Sequence, residues 1–325
     1  MKALDSLSHR ERGGVRGVLV VTLLSILAFT ARAQQSAPSP KFYIRPTAII
    51  TEHLYEGEFK EPSSVFFDPK AHELWVADTR NNLIGAFTVE GLPLFAFGSS
   101  ELKEPSKVAV NGKGRVYVLD NDRSKIKVFS YRGQYLGPLD LPGAGPKPSF
   151  GALTFDAEGN LYVGENESCR VLVFGPDGKA RQRFGECGGD PGQFQAITGI
   201  AVDKERIVVT DAQVVSVQVF DRHGGLLKSW GKHDMGIQNF SLPQAVALDG
   251  KGHVIVIDML RHEIKFFDGE GNFLDRFGGL GSRLGQVAFP TGVATDGSDR
   301  LFVVEKTNGR VQAFVEVEGD INALR

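Results

Sequence analysis

The sequence predicts an all-β fold, a six-bladed β-propeller of four-stranded antiparallel blades, and two regularities carry that prediction. Short apolar runs recur six times, ending at Asp68, Asn111, Asp156, Asp203, Asp249 and Asp296, with a period of 43 to 47 residues. A second run ends on an acid each time, at Asp78, Asp120, Glu165, Asp211, Asp258 and Glu305. Nine residues beyond each acid stands Phe87, Phe129, Phe174, Phe220, Phe267 or Phe314. A repeat of roughly 40 to 50 residues holding four strands is the size of a propeller blade.

Residues 151–185 show the unit most plainly. Leu153-Thr154-Phe155, Leu161-Tyr162-Val163 and Val171-Leu172-Val173-Phe174 are β-type runs, and Ala157-Glu158-Gly159-Asn160 and Gly175-Pro176-Asp177-Gly178 are turns between them. Val254-Ile255-Val256-Ile257 lacks apolar/polar alternation, as expected of a strand covered on both faces.

Taken from the N-terminus, residues 1–33 read as a signal peptide. Arg10, Arg12 and Arg16 precede an apolar run from Val18 to Thr30, and Ala31-Arg32-Ala33 fits a cleavage site. The alternative, an uncleaved N-terminal anchor, suffers because the run is shorter than the ~20 residues that span a bilayer. Residues 34–41 (QQSAPSPK) read as a disordered linker, and residues 42–325 as the propeller. The sixth repeat lacks a fourth strand of its own, so Phe42–Thr51 is expected to supply it, with Ile49 where Phe277 sits in blade five. Closing the ring this way removes an exposed sheet edge.

Within the propeller class the repeats resemble the NHL family, most closely at residues 305–314 (EKTNGRVQAF), and the likeness covers nearly all of residues 42–317. Blades one, four and five depart from it: Leu83, Ser216 and Glu263 stand where Lys125, Arg170 and Arg310 supply a basic residue. The resemblance raises a zinc question, because the NHL-like peptide-amidating lyases carry zinc-binding histidines at the inner-strand starts. Here those positions hold Ser63, Ser106, Gly151, Thr198, Gln244 and Thr291, a poor zinc set. The six second-strand acids suggest a calcium ring as in lactonase-type propellers, but a group repeated in every blade more simply accepts hydrogen bonds from its own turn. No unmatched charge is expected to point into the channel.

The net charge is −2, and removing the leader leaves 32 basic against 37 acidic residues, or −5. That balance and export disfavour RNA binding, which some NHL domains perform. No G-x-S-x-G or phosphate-cradling glycine loop is present. His233 and His262, with Asp234 and Glu263 beside them, match no metal motif. The two cysteines are placed for a disulfide: the hairpin turning at Pro176-Asp177 sets Cys169 opposite about residue 184, a few residues from Cys187.

Antiparallel order puts the long inter-blade connections on one face and tight turns on the other, and variable loops on a rigid scaffold carry binding. The reading is therefore a non-catalytic, monomeric, exported propeller without a cofactor, binding a protein, peptide or glycan and no nucleic acid or membrane after cleavage. Arg261, His262, His233 and Arg283 form the expected site, with Ser106, Thr198, Gln244 and Thr291 at the channel mouth. Alanine at the first four is expected to leave folding intact. Trp230 and Phe240 are expected to pack between blades. The alternative is a metal-dependent hydrolase or lyase holding Ca2+ or Zn2+ in the channel.

Overall fold

The computed structural model describes residues 42–98, 100–214 and 217–318; the leader and linker of the sequence reading lie outside these. Among the described residues there is no helix, and six four-stranded antiparallel sheets follow one another around a channel. Blade one comprises Pro62–Asp68, Glu73–Asp78, Leu83–Thr88 and Pro93–Phe97, and blades two to five repeat that order. The innermost strands touch in sequence, blade one to two and onward, and that of blade six (Pro290–Thr295) returns to blade one.

Phe42–Ile50 closes the ring by pairing antiparallel with Arg310–Glu318, the third strand of blade six. The register differs by one residue from the expectation. A bulge between Pro46 and Ala48 sets Ile50 opposite Val311, as Phe277 stands opposite Ile264 in blade five. A one-residue slip exchanges the faces of a strand. Ile50 is accordingly buried, whereas Ile49 is 41% exposed.

Each junction between blades holds its own apolar cluster, six in all. The six repeat phenylalanines lie in them, none more than 3% exposed. Ring closure depends on one cluster in particular, where Ile50 packs with Val65, Phe87 and Phe302.

The six acids are all buried, and they tie each inter-blade loop to its blade. Asp211 accepts from the N–H groups of Gln195 and Ala196 in the incoming loop and of Gln213 and Val214 in its own turn. Glu165 does the same with Ser149, Glu167 and Ser168. Four blades add a side chain from the third strand, seven residues on: Lys127 reaches Asp120 at 2.6 Å, Lys265 reaches Asp258 at 3.2 Å, Gln312 reaches Glu305 at 2.6 Å, and Gln218 binds the loop at Gly192 and Gln193.

Blade one solves the same problem differently. Its residue at this place is Gly85, and the space is taken by His53 from the entry hairpin Glu52–His53/Gly57–Glu58. The His53 Nε2 lies 3.0 Å from Asp78, and both side chains are fully buried. A Cβ at Gly85 would stand 2.5 Å from His53 Nδ1, so the glycine is required by the imidazole.

Candidate functional site

Three segments of the long-loop face meet at blades four to six. They are the connection at residues 231–242, the turn at 259–262 and the connection at 279–289. Arg261 ties the first of them to the second, and His262 ties the second to the third. The Arg261 guanidinium donates to the carbonyls of Asp234 and Gly236 and to Ser241 Oγ at 3.0 Å, and it lies 3.5 Å from Asp258. His262 has a left-handed backbone (φ 57°); its Nδ1 accepts the Phe289 N–H at 3.0 Å, and its ring meets Phe289 edge-on at 4.6 Å. Both side chains therefore brace loops, and alanine there is expected to disturb the face, contrary to the reading from sequence.

His233 and Arg283 do stand exposed on this face. A ring nitrogen of His233 lies 3.2 Å from the Val214 carbonyl, and the Arg283 carbonyl accepts from Arg310. Asp234 serves its own loop: the Gly236 N–H and the Asn239 amide hold its carboxyl below the usual range. Glu263 is paired with Arg276 and Lys265. The four residues His233, Asp234, His262 and Glu263 thus have separate duties and do not converge. Trp230 and Phe240 pack against Phe267, with ring centroids 5.5 and 5.7 Å away.

What surrounds the loop braces is apolar and open to solvent. Met235 is 92% exposed, Ile237 46%, Leu260 52%, Leu280 64% and Leu284 61%. Sequence reasoning weighed aromatic and charged residues here and passed over these aliphatic ones. The available signal was their position, since apolar residues in long polar loops have no strand to cover them.

The hydroxyls expected at the channel mouth staple neighbouring blades. Thr198 Oγ1 donates to the Pro243 carbonyl at 2.8 Å, Thr291 Oγ1 to that of Pro62 at 3.5 Å, and Ser63 Oγ to those of Pro105 and Ser106 at 3.2 Å each. Ser106 Oγ turns back to the Leu119 carbonyl of its own blade. Gln244 contributes its backbone carbonyl, and the group that reaches it is unexpected. Lys107 crosses the channel from blade two, placing Nζ 3.4 Å from that carbonyl on the opposite blade five. The expectation of no unmatched charge in the channel is overturned: among the described residues no carboxylate lies within ion-pair distance of Lys107. Burial, aided by the like charge of Arg123, lowers its amine from the ordinary 10.5 to about 8.

One cluster has metal-ligand character. Single ligand atoms of Asp249, His253 and Glu316 lie within 4.8 Å of one another on the tight-turn face. It is internally satisfied, with His253 Nδ1 2.7 Å from Asp249 and the Lys251 ammonium 3.0 Å from Glu316. The Asp249 carboxylate accounts for the raised His253.

The disulfide joins Cys169, at the start of the third strand of blade three, to Cys187 in the following loop, with Cα atoms 4.9 Å apart. It anchors the connection that runs on to Phe194 at the junction with blade four.

Six four-stranded blades, each with a loop-binding acid and a junction phenylalanine, define a β-propeller of repeated units. A model of the NHL repeat matches residues 102–129, within blade two and the loop before it. The chain is thus a six-bladed β-propeller with one stretch that matches the NHL repeat. It is 31% identical over 139 residues to Protein brain tumor of Drosophila melanogaster, a match covering 41% of this chain and 13% of that protein. It is 29% identical over 141 residues to the B-box type zinc finger protein ncl-1 of Caenorhabditis elegans, covering 42% and 16%. The matches therefore span under a fifth of either relative's length. Among solved structures, a luciferin-regenerating enzyme superposes with a TM-score of 0.63 at 13% identity, covering 86% of this chain and 98% of that one. Virginiamycin B lyase from Staphylococcus aureus gives 0.58 at 13%, covering 85% and 100%. At such identity the likeness is one of fold.

Proposed function

We propose that this chain is an exported binding propeller that takes a protein or peptide partner on the long-loop face of blades four to six and performs no chemistry. The observation that carries the reading is the group of five exposed aliphatic side chains, Met235, Ile237, Leu260, Leu280 and Leu284, on three loops that Arg261 and His262 hold together. Exposed apolar side chains gathered on the loops of one face of a rigid scaffold favour a partner that covers them, and the exposed His233 and Arg283 supply polar groups beside them. A glycan is the weaker fit, because the rings that would stack on a sugar, Trp230 and Phe240, are spent inside the blades. Export is supported by the leader-like residues 1–33 and by the Cys169–Cys187 bond, which suits an oxidising compartment.

The test is a fivefold serine variant at those aliphatic positions. Each side chain is at least 46% exposed and belongs to a loop, so the fold should persist while the partner recovered with the tagged wild-type chain from its own cells is lost. Lys179→Glu and Lys113→Glu, on the tight-turn face, should keep it. Equal loss from the lysine variants, or retention by the serine variant, contradicts the reading, and mass spectrometry of the mature chain should find Gln34 at its N-terminus.

A further inference from the structure

The channel has about 920 Å³ of space, lined by the inner strands of the blades and reaching the tight turns of the opposite face. At the position after the hydroxyl ring, the blades carry Ser64, Lys107, Ala152, Gly199, Ala245 and Gly292. Five are small, and one is a lysine that crosses to the far wall. The other lysines turned toward the blade interior, Lys127 and Lys265, each have their aspartate. Lys107 has a single carbonyl, which leaves the charge of a protonated amine uncompensated.

The backbone adds donors to the same space. Ser64 Oγ accepts the N–H of Val108 on the next inner strand at 3.2 Å. Equivalent N–H groups lie beside Gly199 and Gly292. Those of Val246 and Val65 are 3.0 and 3.2 Å from where Cβ atoms would sit at Gly199 and Gly292, and neither glycine offers an acceptor side chain. The wall beyond is apolar, with Val65, Leu153, Ile200, Val246 and Val293 each keeping 6 to 8% of their surface open. At the tight-turn mouth Asp156 and Glu158 are paired with Arg222, Asp203 with Arg206 and Asp296 with Arg300, while Asp249 is hydrogen-bonded to His253 and Asp68 to the Lys70 and Ala71 N–H groups, so each acid has a partner of its own outside the channel centre.

We propose that the channel is a binding site for a small carboxylate with an apolar tail, the carboxylate held by the Lys107 ammonium and the channel-facing N–H groups of the inner strands, the tail lying along the valine-rich wall. This site is separate from the long-loop surface and stands or falls without it. The bound anion favours the protonated amine, so binding draws a proton onto Lys107 and weakens once the solution is more basic than the amine's own range near 8.

Calorimetric titration of the full chain with benzoate, with sulfate and chloride for comparison, tests it. Benzoate should bind saturably near pH 6.5 and at least about tenfold more weakly near pH 9.5, with sulfate and chloride weaker throughout. Lys107→Met should abolish binding and Lys107→Arg should retain it. If Lys107→Met does not fold, the wild-type chain still decides: benzoate should shield Lys107, and not Lys113 or Lys179, from reductive methylation read by peptide mass. Absence of saturable benzoate binding, unchanged binding in Lys107→Met, or unshielded Lys107 overturns the proposal.

Discussion

A buried amine with no counter-ion costs stability, and Lys107 makes that cost measurable. A fall from 10.5 to about 8 sets roughly 3 kcal/mol against the charged form, an upper limit because part of the side chain faces channel water. The unfolded chain binds the proton more tightly than the folded one, so stability rises with pH between about 8 and 10.5 on this account. Lys107→Met, which keeps the length and removes the charge, should therefore raise stability by up to about 3 kcal/mol near pH 7, and the gain should vanish above about pH 10.5. Denaturant melts across pH measure it, and destabilisation at neutral pH would contradict the burial argument. Lys107 was legible in principle, since five blades carry small residues at its position. Its reach was not, because a strand pattern does not say which long side chain will cross a channel.

At the scale of single elements, the pairing of His53 with Asp78 shows how one repeat can depart from the others and keep their physics. His53→Ala removes one hydrogen-bond partner of the buried Asp78 carboxylate, which keeps the Lys60 N–H and the Asn81 amide, and should cost about 1–3 kcal/mol, the range for a lost buried hydrogen bond. Adding Gly85→Lys to that variant places a lysine where blades two and five have theirs, and should restore part of the loss. Chemical denaturation of the two variants decides, and no recovery would mean that blade one cannot accept the arrangement of the others. The disulfide belongs to this scale too. It closes a loop of 18 residues, and Cys169→Ala with Cys187→Ala should cost roughly 3 kcal/mol by loop entropy. The strands, the acids and the cysteine placement could be read from local spacing. The role of His53 could not, because a residue outside the repeat fills a hole that only the absent side chain of Gly85 creates.

For the whole molecule, closure is the decisive contact. Phe42–Ile50 joins the first described residues to the last blade and seals the cluster around Ile50. Deleting residues 42–51 should lower the melting temperature by roughly 10 °C or more, or cause aggregation through the bared edge of Arg310–Glu318. An unchanged melting temperature would contradict closure by this strand. That the N-terminal segment closes blade six follows from counting strands; the one-residue shift to Ile50 does not, since the bulge at Pro46–Ala48 is a matter of local geometry. The candidate surface was legible only in outline. Long loops marked the face, but which of their residues brace it and which are left open depends on contacts between three separate connections. Photo-crosslinking in the native cell tests the account most directly, with a reactive side chain placed singly at Leu284, Leu260 or Met235 and, for comparison, at Lys113 or Lys179. The account predicts one common partner adduct from the three loop positions and none from the two lysines, and an equal or reversed pattern would contradict it.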